Sequence, residues 1–239
     1  MGIVLYDKPL RIELIGNNLF VNGNQHQKSV RTLGQMKKTL MNFREYASNL
    51  DMYYMYRNVY KNNDMRFDIT LIPPLEIDGE CAKTHGHYHP GSEDGLAYPE
   101  VYQVLSGSGV FILQKKNRSG SVDAMIVKAG EKDVVLLPPG WGHVSVNNGN
   151  DPLVLSNLVY DRFDSIYTDY EENKGAAYYY LKGGEIIQNE NYVIQRSEHM
   201  QAKELNERFQ FACVDLLSEF YAVPEKFEFL KKPRIFFHV

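Results

Sequence analysis

Between Met52 and Tyr160 the apolar residues of this chain recur with a period of two, and that pattern restricts its fold more than any other feature. Runs at 52–60, 67–73, 101–105, 110–114, 122–127, 134–137, 144–146 and 153–160 are rich in β-branched and aromatic residues. Such side chains suit a pleated, half-buried surface. Ser106-Gly107-Ser108-Gly109 and Asn147-Asn148-Gly149-Asn150 supply hairpin turns between runs. Short strands at this regular spacing predict a mostly β domain, a sandwich or jelly-roll barrel that closes most of its edges.

Helical spacing flanks the strands. Leu33, Met36, Leu40, Phe43 and Ala47 recur at steps of three and four, and Thr32 with Gln35 fits a capping box, so one N-terminal helix is expected. Beyond Lys182-Gly183-Gly184-Glu185, a turn, the stripe Leu205, Phe209, Cys213, Leu216 and Phe220 predicts a helix ended by Pro224. Phe227 and Leu230 fit a short final helix before Pro233. The expected organisation is an N-terminal arm and helix over 1–50, a barrel over 51–181 and a C-terminal helical extension over 182–239, the last a packing element.

The chemistry is concentrated in four residues. His87 and His89 form an H-x-H pair, Glu100 follows, and His143 ends Pro138-Pro139-Gly140-Trp141-Gly142-His143. Residues two apart on a strand point to one face, so His87 and His89 can grip one ion while Glu100 and His143 close from other strands. Three imidazoles and a carboxylate suit one divalent first-row metal (iron, manganese, nickel or zinc) with positions left open for substrate. Glycines and prolines flank these ligands where tight turns need them.

Composition excludes other classes. A net charge of −4 over 239 residues, with no basic stripe, argues against a nucleic-acid partner. No run approaches the ~20 apolar residues of a membrane span. Two cysteines are too few for a disulfide framework and are expected to stay reduced in a cytoplasmic protein.

Gly107 stands seven residues after Glu100 and Asn147 four after His143, and with the P-x-G-x-x-H segment these resemble the two signature blocks of the cupin superfamily. Thr84-His85-Gly86-His87-Tyr88-His89, Glu100-Val101-Tyr102 and Pro138 to His143 more closely resemble the cupin-type phosphoglucose isomerases, which are metal-dependent. Weaker similarity covers Ser29-Val30-Arg31, Tyr53-x-x-Tyr56, Phe67-x-x-Thr70 and Tyr160. The resemblance implies a cupin jelly roll that interconverts glucose 6-phosphate and fructose 6-phosphate, a phosphosugar substrate and a homodimer. It implies metal ligation by His87, His89, Glu100 and His143, and phosphate contacts from Thr70, Thr84, Gly86 and Tyr160.

Tyr53 and Tyr102 are candidates for sugar contact, with barrel-filling aromatics as the plainer alternative. Glu100 is also the candidate base. Some family members carry a histidine shortly after the residue matching Tyr160; here 161–180 contains none, and Tyr167 is a partial substitute. His26, His85, His199 and His238 read as ordinary histidines. Rival readings are a mannose-6-phosphate isomerase, a non-haem iron dioxygenase or a non-catalytic sugar-phosphate-binding cupin.

Overall fold

A computed structural model of the chain describes residues 2–43 and 45–237; His238 lies outside the described residues. The first residues form an antiparallel sheet of β1 (Gly2–Tyr6), β2 (Ile12–Ile15), β3 (Asn18–Val21) and β4 (Asn24–Gln25), where the sequence predicts only an arm. Next come β5 (Ser29–Thr32), α1 (Leu33–Met36), β6 (Asp51–Asn62), β7 (Met65–Ile72) and the small hairpin of β8 (Glu76–Ile77) and β9 (Glu80–Cys81). The central strands are β10 (Glu100–Ser106), β11 (Ser108–Lys116), β12 (Val122–Gly130), β13 (Val134–Leu137), β14 (Gly142–Asn147) and β15 (Leu153–Tyr160). After α2 (Thr168–Glu172) and the hairpin of β16 (Tyr178–Tyr180) and β17 (Ile186–Gln188), the chain ends in β18 (Ile194–Gln201), α3 (Ala202–Arg208), α4 (Leu216–Ala222) and two 3-10 turns.

Two sheets carry the site. One has the order β13-β10-β15-β7-β6-β5, the other β14-β11-β12-β18. Successive strands β13, β14 and β15 alternate between the sheets, the interleaving of a jelly roll. The expected jelly roll is therefore present as two facing sheets; no hydrogen-bonded closure joins them into one cylinder among the described residues. No helix among the described residues is long and apolar enough to cross a membrane.

Strand alternation sorts the six-stranded sheet into two faces. Tyr56, Phe67, Ile69, Val101 and Leu158 point outward and are buried beneath Ile12 and Leu19 of the N-terminal sheet and Phe211, Leu216, Phe220 and Phe227 of the C-terminal extension. Burying each such side chain stabilises the fold by roughly 1.5–3 kcal/mol. Tyr102, Val104 and Leu155 point inward and meet Phe111, Leu113 and Met125 of the second sheet.

Both expected long helices are broken. The capping box at Thr32 and Gln35 forms, but α1 stops at Met36. Beyond it, buried side chains capture the backbone: Lys83 Nζ donates to the Thr39 carbonyl at 2.6 Å, and Glu80 Oε2 accepts the Met41 N–H at 2.8 Å. Lys83 and Glu80 also pair with each other, so this loop is fastened to the sheet instead of continuing as helix. The second stripe splits into α3 and α4. Gln210 adopts φ +53° between them, Gln103 donates to the Val214 carbonyl and accepts the Leu216 N–H, and Asp215 caps α4 by accepting the Ser218 N–H at 2.8 Å. Phe227 and Leu230 are buried on a 3-10 turn, Pro224–Leu230.

Candidate metal centre

Glu100 begins β10 and His143 lies second on β14, so the two candidate ligands come from the two different sheets. The H-x-H segment is anchored differently from the expected strand. His87 forms an isolated bridge with His143, the His143 N–H donating to the His87 carbonyl at 3.0 Å.

The four side chains converge. One donor atom from each of His87, His89, Glu100 and His143 lies within 4.8 Å of every other. His87 and His89 bring their Nε2 atoms to 3.1 Å, and Glu100 Oε2 is 3.4 Å from both His89 Nε2 and His143 Nε2. His89 donates its Nδ1–H to the Tyr98 carbonyl at 2.9 Å, which leaves its Nε2 as a bare acceptor. Glu100 Oε1 accepts from Asn157 Nδ2 at 2.7 Å, whereas buried Oε2 has no hydrogen-bond partner. A cluster of acceptors turned towards one point is costly unless a cation neutralises it, so this donor set fits a divalent metal.

Burial sets the protonation. Desolvation lowers His89 to about 4 and holds His87 and His143 well below the ordinary imidazole value, keeping all three neutral, as ligation requires. The same desolvation pushes Glu100 up to about 8 against the opposing pull of Arg66.

A cleft of about 660 Å³, counting its open mouth, adjoins the cluster. Its walls include the expected Tyr53, Thr70, Thr84, Gly86 and Tyr102. Thr84 Oγ1 accepts the Ser145 N–H at 2.9 Å, Tyr53 Oη accepts the His85 N–H at 3.3 Å, and Tyr102 Oη lies 3.2 Å from His143 Nε2. Gly86 has φ +86°, and a Cβ there would meet the Tyr170 ring at 2.5 Å and Val144 at 2.6 Å. The close approach that demands glycine thus comes from the protein's own core. Tyr160 does not line the cleft; its ring lies 4.9 Å from Tyr98. Tyr167 does line it, its ring 5.6 Å from His87.

Several cleft residues escape the sequence reading. His85, taken as ordinary, is buried in the wall with Nδ1 unpartnered, its ring edge-on to Tyr167 at 5.3 Å and Nε2 3.4 Å from Glu171. His199 lies exposed and His26 half-buried, its Nε2–H donating to the Arg57 carbonyl at 2.8 Å, and neither lines the cleft. Arg31, Arg57, Arg66, Asp68 and Asn157 also face it. Strand parity was the available signal: Arg66 and Asp68 share a face with Thr70 on β7, and Asn157 pairs with Tyr102 in register. Arg66 donates to Asp68 and Asp161, both at 2.8 Å, while Arg31 Nε is buried without a partner.

A two-sheet jelly roll with a His3Glu cluster opening onto a polar cleft defines a metal-site β-sandwich of enzyme type. The family model for glucose-6-phosphate isomerase matches residues 27–196, and the chain belongs to that family. It is 29% identical over 157 residues to the glucose-6-phosphate isomerase of Pyrococcus abyssi, covering 63% of this chain and 78% of that one. A putative glucose-6-phosphate isomerase 1 of Rhizobium meliloti is 32% identical over 95 residues, 40% of this chain and 41% of the relative. Among solved structures, a Bacillus subtilis oxalate decarboxylase aligns at 19% identity and TM-score 0.35 over 48% of this chain and 27% of its own; a likeness that partial adds nothing on function.

Proposed function

We propose that this chain interconverts glucose 6-phosphate and fructose 6-phosphate, with one divalent first-row ion per subunit held by His87, His89, Glu100 and His143. The observation that carries the reading is the convergence of those four donors, three of them lining the cleft, in a chain of the glucose-6-phosphate isomerase family. Iron, manganese, nickel and zinc all suit three nitrogens and one carboxylate oxygen. Bound there, a divalent ion supplies Lewis-acid stabilisation of negative charge on the sugar oxygens.

The chain's own residues do the rest. Isomerisation moves a hydrogen between adjacent carbons, and by an enediol route a base takes the proton from carbon 2. Glu100 is the carboxylate at hand, with Asn157 fixing Oε1 and Oε2 left without a protein donor. We assign it both ligand and base. For the phosphate, Thr84 Oγ1 already accepts the Ser145 N–H, so its own proton is free to donate outward. Thr70, the Gly86 backbone and the Arg31 guanidinium line the same cleft and add donors and positive charge. Tyr53 and Tyr102 present hydroxyls for the sugar. Tyr160 packs on Tyr98, which stacks on the cleft residue Phe163.

We further assign a cytoplasmic, homodimeric state, supported by the free Cys81 and Cys213 and by edge strands β1 and β5. The deciding experiment supplies glucose 6-phosphate to metal-loaded protein and follows fructose 6-phosphate with and without a chelator. Product that disappears with the chelator is the expected result; no product with any of the four metals contradicts the reading.

A further inference from the structure

The last residues of the C-terminal extension lie beyond the 27–196 match to the family, yet they reach the metal cluster in two steps. The first step is at the 90–98 loop, which joins His89 to Glu100. Asp94 Oδ2 accepts the Arg234 backbone N–H at 2.9 Å, and the Asp94 carbonyl accepts Arg234 Nε at 2.7 Å. Leu96 packs against the apolar cluster that contains Phe229 and Phe237. The loop is braced internally: Ser92 N–H donates to the Leu96 carbonyl at 2.7 Å, Tyr98 N–H donates to the Pro90 carbonyl at 3.1 Å, and Gly91 bridges Ala97. A fixed Asp94 therefore fixes Tyr98.

The second step runs from Tyr98 to the ligand. Its carbonyl takes the His89 Nδ1–H at 2.9 Å, the hydrogen bond that turns His89 Nε2 towards the cluster. Its ring stacks on Phe163 at 4.9 Å with 5° between the planes, and Phe163 lies 4.7 Å from the His89 ring. Carbonyl and ring thus hold the imidazole from two directions.

We propose that the 224–237 segment is a strap that orients His89, with Arg234 and Asp94 as positioning residues acting through the Tyr98 carbonyl. This rests on the metal reading of the four-residue cluster. The physical reason is tolerance: a ligating ring must be held within about 0.5 Å of its productive place, and a loop tip anchored to the outer core cannot drift as a free one does.

The test uses full-length, metal-stripped protein. Manganese(II) binding is measured by calorimetry, and amide hydrogen exchange is followed across 90–98. Arg234→Ala should weaken manganese binding about 3–10-fold and Asp94→Ala about 10-fold or more, both with faster exchange over the loop. Asp94→Asn, which keeps one acceptor, should recover part of the loss, and Glu93→Ala on the same loop should leave binding unchanged. Should Asp94→Ala fail to fold, Arg234→Ala, which removes the Nε–H contact and keeps the backbone N–H to Asp94, still decides. Affinity and exchange within about twofold of wild type in both variants overturn the strap, as does weaker binding without faster loop exchange. Wild-type protein that takes up no iron, manganese, nickel or zinc overturns the metal reading instead, and exchange in the metal-stripped variants then decides alone whether the strap holds the loop.

Discussion

Asn157 Nδ2 donates to Glu100 Oε1 at 2.7 Å, so one carboxylate oxygen is fixed by the protein while the other is left for the metal cluster. The bond crosses diagonally from β15 to β10, two residues along β10 from the Tyr102–Asn157 pair. Removing the donor should release Glu100 from its orientation. Asn157→Ala is expected to weaken metal binding about 10–100-fold. Glu100→Gln should keep some metal and abolish turnover. Metal titration and fructose 6-phosphate formation check both, and near-normal turnover in Glu100→Gln contradicts its role as base.

Thr84 separates substrate binding from metal binding. Its oxygen is already engaged by the Ser145 N–H, so its proton is the group available to a phosphate. Thr84→Ala should raise KM for glucose 6-phosphate by about 10-fold, the worth of a hydrogen bond to a charged group, and leave metal content near wild type. Steady-state kinetics alongside metal analysis make the check; loss of both in equal measure means that Thr84 only supports the ligand segment.

Gly86 should tolerate no side chain. Its φ of +86° already disfavours an L-residue, and an added Cβ would lie 2.5 Å from the Tyr170 ring. Left-handed strain and overpacking together predict a loss of about 2–5 kcal/mol for Gly86→Ala. Denaturant unfolding of the metal-stripped protein measures it, and a change below about 1 kcal/mol would sink the steric account.

The metal-stripped protein should be most stable near pH 6.5. His85 and His89 are lowered to about 4, and His87 and His143 lie well below 6.5, all mainly by desolvation. Below 6.5 the unfolded chain binds protons at these imidazoles that the fold refuses, so stability falls as pH falls towards 4. Glu100, raised to about 8 by burial, acts oppositely: folded it keeps a proton that the unfolded chain loses above 4.5, so stability falls as pH rises towards 8. Four imidazoles outweigh one carboxyl below 6.5, and the carboxyl acts alone above it. Thermal midpoints across this range, taken with chelator present, should trace that dome; a midpoint rising steadily on acidification would contradict it.

Much of the site was legible from local pattern. The step of two that pairs His87 with His89 also puts Glu100 and Tyr102 on one face of β10, and the turn residues around His143 announced where its strand begins. The candidate ligand motifs and the strand pattern of the jelly roll follow from such short-range rules. The helices were less legible, because buried Lys83, Glu80 and Gln103 take backbone groups from segments whose apolar spacing alone fits longer helices.

By itself the sequence determined the H-x-H pair, the strand parity and the mostly β class, since each depends on residues close together in the chain; that Glu100 and His143 meet that pair was decided by the tertiary structure. Only the tertiary structure decided that Asn157 holds Glu100, that the core ring of Tyr170 sits under Gly86, that Tyr160 turns to Tyr98 rather than into the cleft, and that Arg234 reaches Asp94. Those contacts join residues on different strands and loops. Their geometry comes from which sheets face each other and how the extension covers the outer core, and no local periodicity encodes that.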